Sequence, residues 1–198
     1  MIETRPTLLQ RVAGGTDQKS WSEFVALYEP LLRAFARKKG MRPHDGEDVV
    51  QVIFVSLLRK LPAYDRSRGR FRTWLWQIAR NAVVDYWRKE KSLATAEDQK
   101  KAMPVEGPDE EDEWNREHRR RILEFAMEQV REQTLAKSWA CFEEHILRAR
   151  RGIEVGKELG LPANSVYVNA NRVMQRIRER CALWRDELEE DDRDLSPR

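Results

Sequence analysis

The sequence predicts an all-α protein, with two helical domains joined by an acidic linker. Three observations point there. Apolar residues recur at helical spacing along most of the chain, and no alternating β-branched stretch interrupts them. That periodicity lapses between residues 92 and 116, where Pro104, Gly107, Pro108 and the run Asp109–Glu113 supply linker chemistry. Charge follows the same division: ten Lys/Arg against three acids from Arg59 to Lys91, eight acids against two lysines from Glu97 to Glu113, and eight Lys/Arg against three acids from Arg148 to Arg180. The expected organisation is a first domain over 1–91, a flexible acidic linker over 92–116, a second domain over 117–185 and an acidic tail over 186–198.

Each element has its own signal. Trp21, Phe24, Val25, Tyr28, Leu31, Leu32 and Phe35 mark one helix face, with Pro30 an expected kink and Gly40 an end. A second helix runs from about Pro43 to Leu61, with a ladder of Val49, Val50, Ile53, Phe54, Leu57, Leu58 and Leu61 turned to a core, and Pro62 stops it. The third, about Phe71 to Glu90, sets Phe71, Trp74, Leu75, Ile78, Ala82 and Tyr86 inward and keeps a basic outer face. Beyond the linker, Ile122, Phe125, Ala126, Gln129 and Val130 form one amphipathic helix; Leu135, Trp139, Phe142 and Ile146 form another, with Gly152 as its expected C-terminal cap.

Residues Ile153 to Gln175, IEVGKELGLPANSVYVNANRVMQ, fit a helix-turn-helix. Val155 and Leu159 go to the core, Gly160 permits the left-handed turn, Pro162 prevents continuation, and Ala163-Asn164-Ser165 opens a second helix. Gly156 sits where a close helix crossing demands a very small residue. Val166, Ala170 and Val173 then face inward. Asn164, Ser165, Tyr167, Val168, Asn169, Asn171 and Arg172 are left near the outer face, where amide and guanidinium groups suit base edges and phosphates.

Composition excludes several classes. Charged residues are 36% of the 198 and mean hydropathy is −0.77, yet seven Trp, six Phe and four Tyr provide for folded cores. The longest apolar stretch, Val49 to Leu58, is broken by Gln51 and Ser56 and falls short of the roughly 20 residues a membrane span needs. No secretory signal is visible at Met1–Pro6, so a cytoplasmic protein is expected. Cys141 and Cys181 lie far apart and His44, His118 and His145 are scattered, which argues against a metal site or disulfide framework; no cofactor is expected. The tight acidic cluster Asp45, Glu47 and Asp48 falls at a helix start, where acids are favourable in any case, and no nucleophile has a partnered base. No catalytic residue is therefore assigned. The two basic blocks suggest two polyanion-binding surfaces.

The segments EDVVQVIF (47–54), with Leu57, and RGRFRTWLWQIARNAVVDYWRK (68–89) resemble the polymerase-binding and minus-ten segments in region 2 of extracytoplasmic-function sigma factors. The helix-turn-helix resembles region 4, and the acidic segment stands where the two regions join. The resemblance covers about residues 8–91 and 117–184. It implies a non-enzymatic factor that binds core RNA polymerase through its beta and beta-prime subunits, recognises promoter DNA and stabilises the melted strand. The linker would then run through basic channels of the polymerase.

On the second helix, Asp48, Gln51, Val52 and Val55 share a face distinct from Val49, Ile53 and Leu57, which leaves that helix sticky on two sides. By resemblance this second face grips the polymerase clamp helices, although the family usually has an acid where Val52 stands. The resemblance assigns the loop Arg66, Arg68 and Arg70, together with Asn81, Asp85, Trp87, Arg88 and Lys89, to the minus-ten element. It assigns Asn164, Ser165, Tyr167, Val168, Asn171 and Arg172 to the minus-thirty-five element. Many members are held inactive by an anti-sigma protein, and the resemblance admits such a partner. Two other classes compete: a ligand-responsive repressor, which needs no second sticky face, and a DNA-modifying enzyme, which needs clustered carboxylates, metal ligands or an activated nucleophile.

Overall fold

The computed structural model describes residues 8–14, 18–93, 107 and 109–185, and within them the regular structure is helical. They form two compact units that divide between Arg121 and Ile122. Residues 94–106 and 108 of the expected linker, and the whole expected acidic tail, 186–198, lie outside the described residues.

The first unit contains α1 (Leu8–Ala13), α2 (Gln18–Lys38), α3 (Pro43–Lys60), α4 (Phe71–Leu93) and the first half of α5 (Glu110–Glu132). Helix α2 runs on through Pro30 and buries Phe24, Leu27, Tyr28, Leu31, Leu32 and Phe35 along one stripe. Proline opens α3 at the helix start, where its missing N–H is no loss. Val49, Val50, Ile53 and Leu57 of α3 are buried, as the ladder requires. Leu58 is not: it is 55% exposed and leaves the core ladder for the opposite face. Pro62 falls in a short 3₁₀ turn, Leu61–Ala63, that ends α3.

On α4 the buried apolar set is Phe71, Leu75, Ile78, Ala79 and Val83, whereas Trp74, Ala82 and Tyr86 are half-buried. The true inner stripe follows the 3.6-residue period through Ala79 and Val83, small residues that the aromatic positions upstaged in the sequence. Phe24, Tyr28 and Phe71 close the centre, with ring centroids 4.6 Å apart for Phe24–Tyr28 and 5.6 Å for Tyr28–Phe71.

The acidic run departs from expectation. Glu110 to Glu113 form the first turn of α5, and residues 110–121 belong to the first unit. Acids at a helix start are favoured by the unpaired N–H groups there. Here they also meet lysines: Glu113 pairs with Lys38, and Glu110 with the largely buried Lys39. The pair with Lys38 holds the Glu113 carboxyl below its usual range. Trp114 is 3% exposed, donates its Nε1–H to the Arg72 carbonyl at 3.0 Å, and meets Phe35 edge-on at 5.3 Å. Arg121 donates to the Leu27 and Ala26 carbonyls at 3.2 and 3.1 Å. Residues 110–116, expected as tether, thus belong to a helix that closes the first unit.

His118, one turn beyond Trp114, is fully buried and stacks on Tyr28 at 5.6 Å. Neither ring nitrogen has a hydrogen-bond partner among the described residues. Burial foremost, then nearby Arg72 and Arg119, pushes its pKa from 6.5 down to about 3. Below pH 6.5 the unfolded chain therefore takes up a proton that the folded chain refuses. The stability of the neutral ring is complete above that pH and is lost progressively as pH falls toward 3. At about 1.4 kcal/mol per pH unit, moving from pH 7 to 5 should cost the first unit about 2 kcal/mol. Urea unfolding of the native chain and of His118→Phe at both pH values checks this: the variant should lose that share of the acid sensitivity, and equal sensitivities would exclude the ring as its source.

The second unit contains the rest of α5, α6 (Ala136–Phe142), a π-helical turn (Glu143–Leu147), α7 (Gly152–Leu159) and α8 (Ala163–Arg185). Ile122, Phe125, Ala126 and Val130 are buried, and Phe125 packs on Trp184 at 5.3 Å. Trp139 and Phe142 are buried, but Leu135 is 80% exposed because it is the N-cap of α6 and precedes its inward face. Gly152 is no C-terminal cap. It is the first residue of α7, and Ala149, at φ +53°, makes the left-handed turn instead.

Candidate functional site

Three surfaces collect the candidate residues. On α3, Asp48 and Gln51 are exposed, and Val52 and Val55 are 59% and 47% exposed. Leu58, one turn on, continues the stripe. A helix with one face buried and a second row of open aliphatics has more apolar surface than its own unit covers. Asp48 lies 3.4 Å from His44, with both side chains exposed. The sequence signal for Leu58 was its step of three from Val55, but the same residue also extends the core ladder by steps of four and one.

The second surface is the connection from α3 to α4. A 3₁₀ turn spans Arg66–Arg68, and the Asp65 carboxylate accepts the Ser67 N–H at 2.9 Å and its hydroxyl at 2.8 Å. These hydrogen bonds, with Arg68 beside them, hold the Asp65 carboxyl below its usual range. Tyr64 donates its hydroxyl to the Gly69 carbonyl at 2.8 Å, and Gly69 takes a φ of +152° that side chains disfavour. The loop is thereby shaped by its own side chains. Arg68 is exposed and Arg70 half-buried; the Arg66 side chain is outside the described residues.

Beside the loop opens a cavity of about 210 Å³ whose lining includes Tyr64, Arg68, Arg70, Trp74 and Gln77. Trp74, assigned to the core from its spacing, instead sits half-buried at this opening, 5.0 Å from the Tyr64 ring. Cations and aromatic rings around one recess suit a phosphate and an unstacked base. Tyr64 escaped the sequence reading because it belongs to no helical period. Farther along α4, Asn81, Asp85, Arg88 and Lys89 are all exposed and recur at helical steps on one face, with Arg88 3.6 Å from Asp85. Trp87 stands apart from them. It is half-buried, its indole N–H is buried, and its ring meets Tyr86 at 5.4 Å. Tyr86 itself is tied to Asp45, and burial first, then that bond, pushes its phenol up to about 12.

The third surface is the helix-turn-helix. Gly160 takes φ +63° at the end of α7, and the Ser165 and Val166 N–H groups donate to the Pro162 carbonyl to start α8. Val166, Ala170, Val173 and Ile177 are buried. Asn164, Asn171 and Arg172 are exposed, Tyr167 and Val168 are 38% and 39% exposed, and Ser165 is half-buried. Asn169 turns inward and hydrogen-bonds the buried Cys141, whose thiol is pushed up chiefly by that burial. Among the described residues, no group of three or more His, Cys, Asp or Glu side chains is placed to hold a metal ion, and no helix is long and apolar enough to cross a membrane.

Residues 24–93 match the family described as sigma-70 region 2, so the helices carrying the first two surfaces form a sigma-factor domain. Curated relatives extend the likeness across both units. The chain is 23% identical to the ECF RNA polymerase sigma factor RpoE of Cereibacter sphaeroides over 172 residues, 87% of this chain and 92% of that one. It is 28% identical to the RNA polymerase sigma factor CarQ of Myxococcus xanthus over 82% of this chain and 89% of that one. It is 40% identical to the ECF sigma factor SigM of Bacillus subtilis over 38% of this chain and 45% of that one. Residues 24–93 are thus a sigma-70 region 2 domain, and across both units the chain is similar to sigma factors of the extracytoplasmic-function type.

Proposed function

We propose that this chain carries core RNA polymerase to promoters through α3 and opens them through the α3–α4 loop and α4, while α8 reads the upstream element. The observation that carries this most directly is the open stripe of Asp48, Gln51, Val52, Val55 and Leu58 on a helix whose other side is already buried. A repressor acting alone has no use for it. In this account the stripe docks on the clamp helices of the beta-prime subunit, and Val52 stands where relatives of this kind carry an acid, so the contact at that point is apolar. Arg66, Arg68 and Arg70 hold backbone phosphates, and the recess framed by Tyr64 and Trp74 takes a base displaced from the duplex, which offsets its lost stacking. Asn81, Asp85, Arg88 and Lys89 follow the same strand along α4, and Trp87 supports them from its half-buried position.

Asn164, Ser165, Tyr167, Val168, Asn171 and Arg172 present amide, hydroxyl, apolar and guanidinium groups to the major groove of the minus-thirty-five element. The chain makes and breaks no covalent bond in this scheme; binding energy alone drives melting. It acts where polymerase acts, in the cytoplasm. An anti-sigma protein that covers the α3 stripe would hold it inactive by competition.

Two substitutions separate the surfaces. Val55→Glu puts a charge into the proposed polymerase contact and should weaken association with core by about tenfold or more while leaving α8 untouched. Arg172→Ala should cost about 1–3 kcal/mol in upstream-element recognition with core binding unchanged. Pull-down with core polymerase and promoter binding across several salt concentrations measure both. Loss of core affinity in Arg172→Ala would overturn the division of labour between the units.

A further inference from the structure

Glycine at position 152 has no backbone reason to be there. It opens α7 and is absent from the positive-φ glycines among the described residues, Gly40, Gly69 and Gly160. What occupies the space of its missing side chain is Tyr167. A Cβ at 152 would lie 2.5 Å from both Cε1 and Cζ of that ring and 2.8 Å from its hydroxyl oxygen. A second residue meets the ring as well: the His145 imidazole is edge-on at 4.9 Å, with an interplanar angle of 68°.

His145 is itself fixed. Its Nδ1 is 2.8 Å from the Arg150 carbonyl, which can only accept, so Nδ1 carries the proton. Arg150 is in turn held by Glu144 at 2.9 Å and by Glu158 at 2.8 Å. The π-helical turn that carries His145 adds a residue to the helical circuit just before the left-handed Ala149. Glycine, imidazole and their supports thus form a seat that dictates where an aromatic side chain of α8 lies, while 38% of Tyr167 remains exposed. Asn171 follows one turn later on the same helix, so the orientation of this ring decides what is offered beside it.

We propose that Gly152 and His145 are positioning residues that set the base preference of α8 by seating Tyr167. The inference rests on the assignment of α8 to the upstream promoter element. A seated ring enters the groove already ordered; a ring expelled from the seat presents a different edge and sweeps a wider arc. Because the atoms that a Cβ would strike are the far end of a movable side chain, Gly152→Ala should swing the ring outward and leave the fold in place.

The test uses the full chain with core polymerase on a promoter library randomised through the upstream element, with melting curves for every variant. Tyr167→Ala should change the preference at one or two base pairs by about tenfold. Gly152→Ala and His145→Ala should alter the same base pairs and spare those affected by Arg172→Ala. In a Tyr167→Ala background, Gly152→Ala should add less than about twofold, since the ring it displaces is gone. A merely structural glycine would lower all preferences together and would do so in both backgrounds.

If Tyr167→Ala alters preference while Gly152→Ala and His145→Ala stay within about twofold of the native chain, the seat has no role in readout and the inference fails alone. If Tyr167→Ala changes nothing but Arg172→Ala does, the inference fails and α8 remains the reader. If neither changes any base pair, the assignment of α8 itself is lost. Should Gly152→Ala melt early, His145→Ala decides, because it empties the seat without adding atoms.

Discussion

Trp114→Ala should destabilise the first unit by about 3–5 kcal/mol, the cost of emptying a large aromatic site in a packed core. The residue is 3% exposed, presses edge-on against Phe35 at 5.3 Å, and donates to the Arg72 carbonyl at 3.0 Å. Alanine would remove the ring and leave that carbonyl without its indole donor, so a cavity and an unmade hydrogen bond add. The neighbouring ion pair provides the contrast. Lys38 and Glu113 are each about half exposed, at 50% and 44%. Glu113→Gln should therefore cost little, and less still in high salt. Hydrogen exchange at the α2 amides should accelerate strongly in Trp114→Ala and scarcely in Glu113→Gln. If the two variants exchanged alike, residues 110–121 would be a loosely attached segment after all.

That contrast also shows where sequence periodicity succeeds. Helices α2 and α3 were legible because a buried stripe must repeat with the helical turn, and Phe24 to Phe35 and Val49 to Leu57 do so with few interruptions. The α3 outer face was legible for the same reason, since Val52 and Val55 fall off the core period. Leu58 was not, because it fits both stripes by spacing and only packing decides between them. The first turn of α5 was missed on composition. Asp109–Glu113 after Gly107 and Pro108 reads as tether, and the lysines that dock its helical part lie more than 70 positions away in the sequence. A local window cannot contain them.

The α3–α4 recess was half legible. Its basic loop stands out as a run of arginines, but the aromatic walls come from Tyr64, outside any period, and from Trp74, whose spacing favoured the core. In the second unit, Gly160 and Pro162 announce the turn, whereas a left-handed alanine at 149 gives no signal, because the chain places there a residue that pays a backbone strain penalty glycine would avoid.

Gly156 supplies the other large effect, and its cause is not conformational freedom. The sequence marked it as a place for a very small residue at a helix crossing; in the structure what crowds it is the turn itself. A Cβ on Gly156 would lie 2.5 Å from the Leu161 carbonyl oxygen, with the Ala163 nitrogen at 3.5 Å. The turn is drawn onto α7 by the Leu161 N–H, which donates to the Gly156 carbonyl at 2.8 Å. Retreat is blocked beyond that point: Pro162 has a fixed φ, and its carbonyl accepts the first N–H groups of α8. Gly156→Ala must therefore push the backbone apart between the two helices of the motif, and should destabilise the second unit by about 3 kcal/mol.

Gly160→Ala makes the comparison sharp. That position has a left-handed φ of +63° but nothing within 4 Å of a Cβ, so it should cost only about 1 kcal/mol of conformational strain. Circular dichroism melts of the two variants give the order, and promoter binding gives the consequence: Gly156→Ala should lose the proposed upstream-element selectivity as α8 detaches from α7, while the proposed association of α3 with core polymerase persists. Equal melting of the two alanine variants would mean that the turn has slack, and the tight approach of Leu161 to α7 would not be what holds α8 in place.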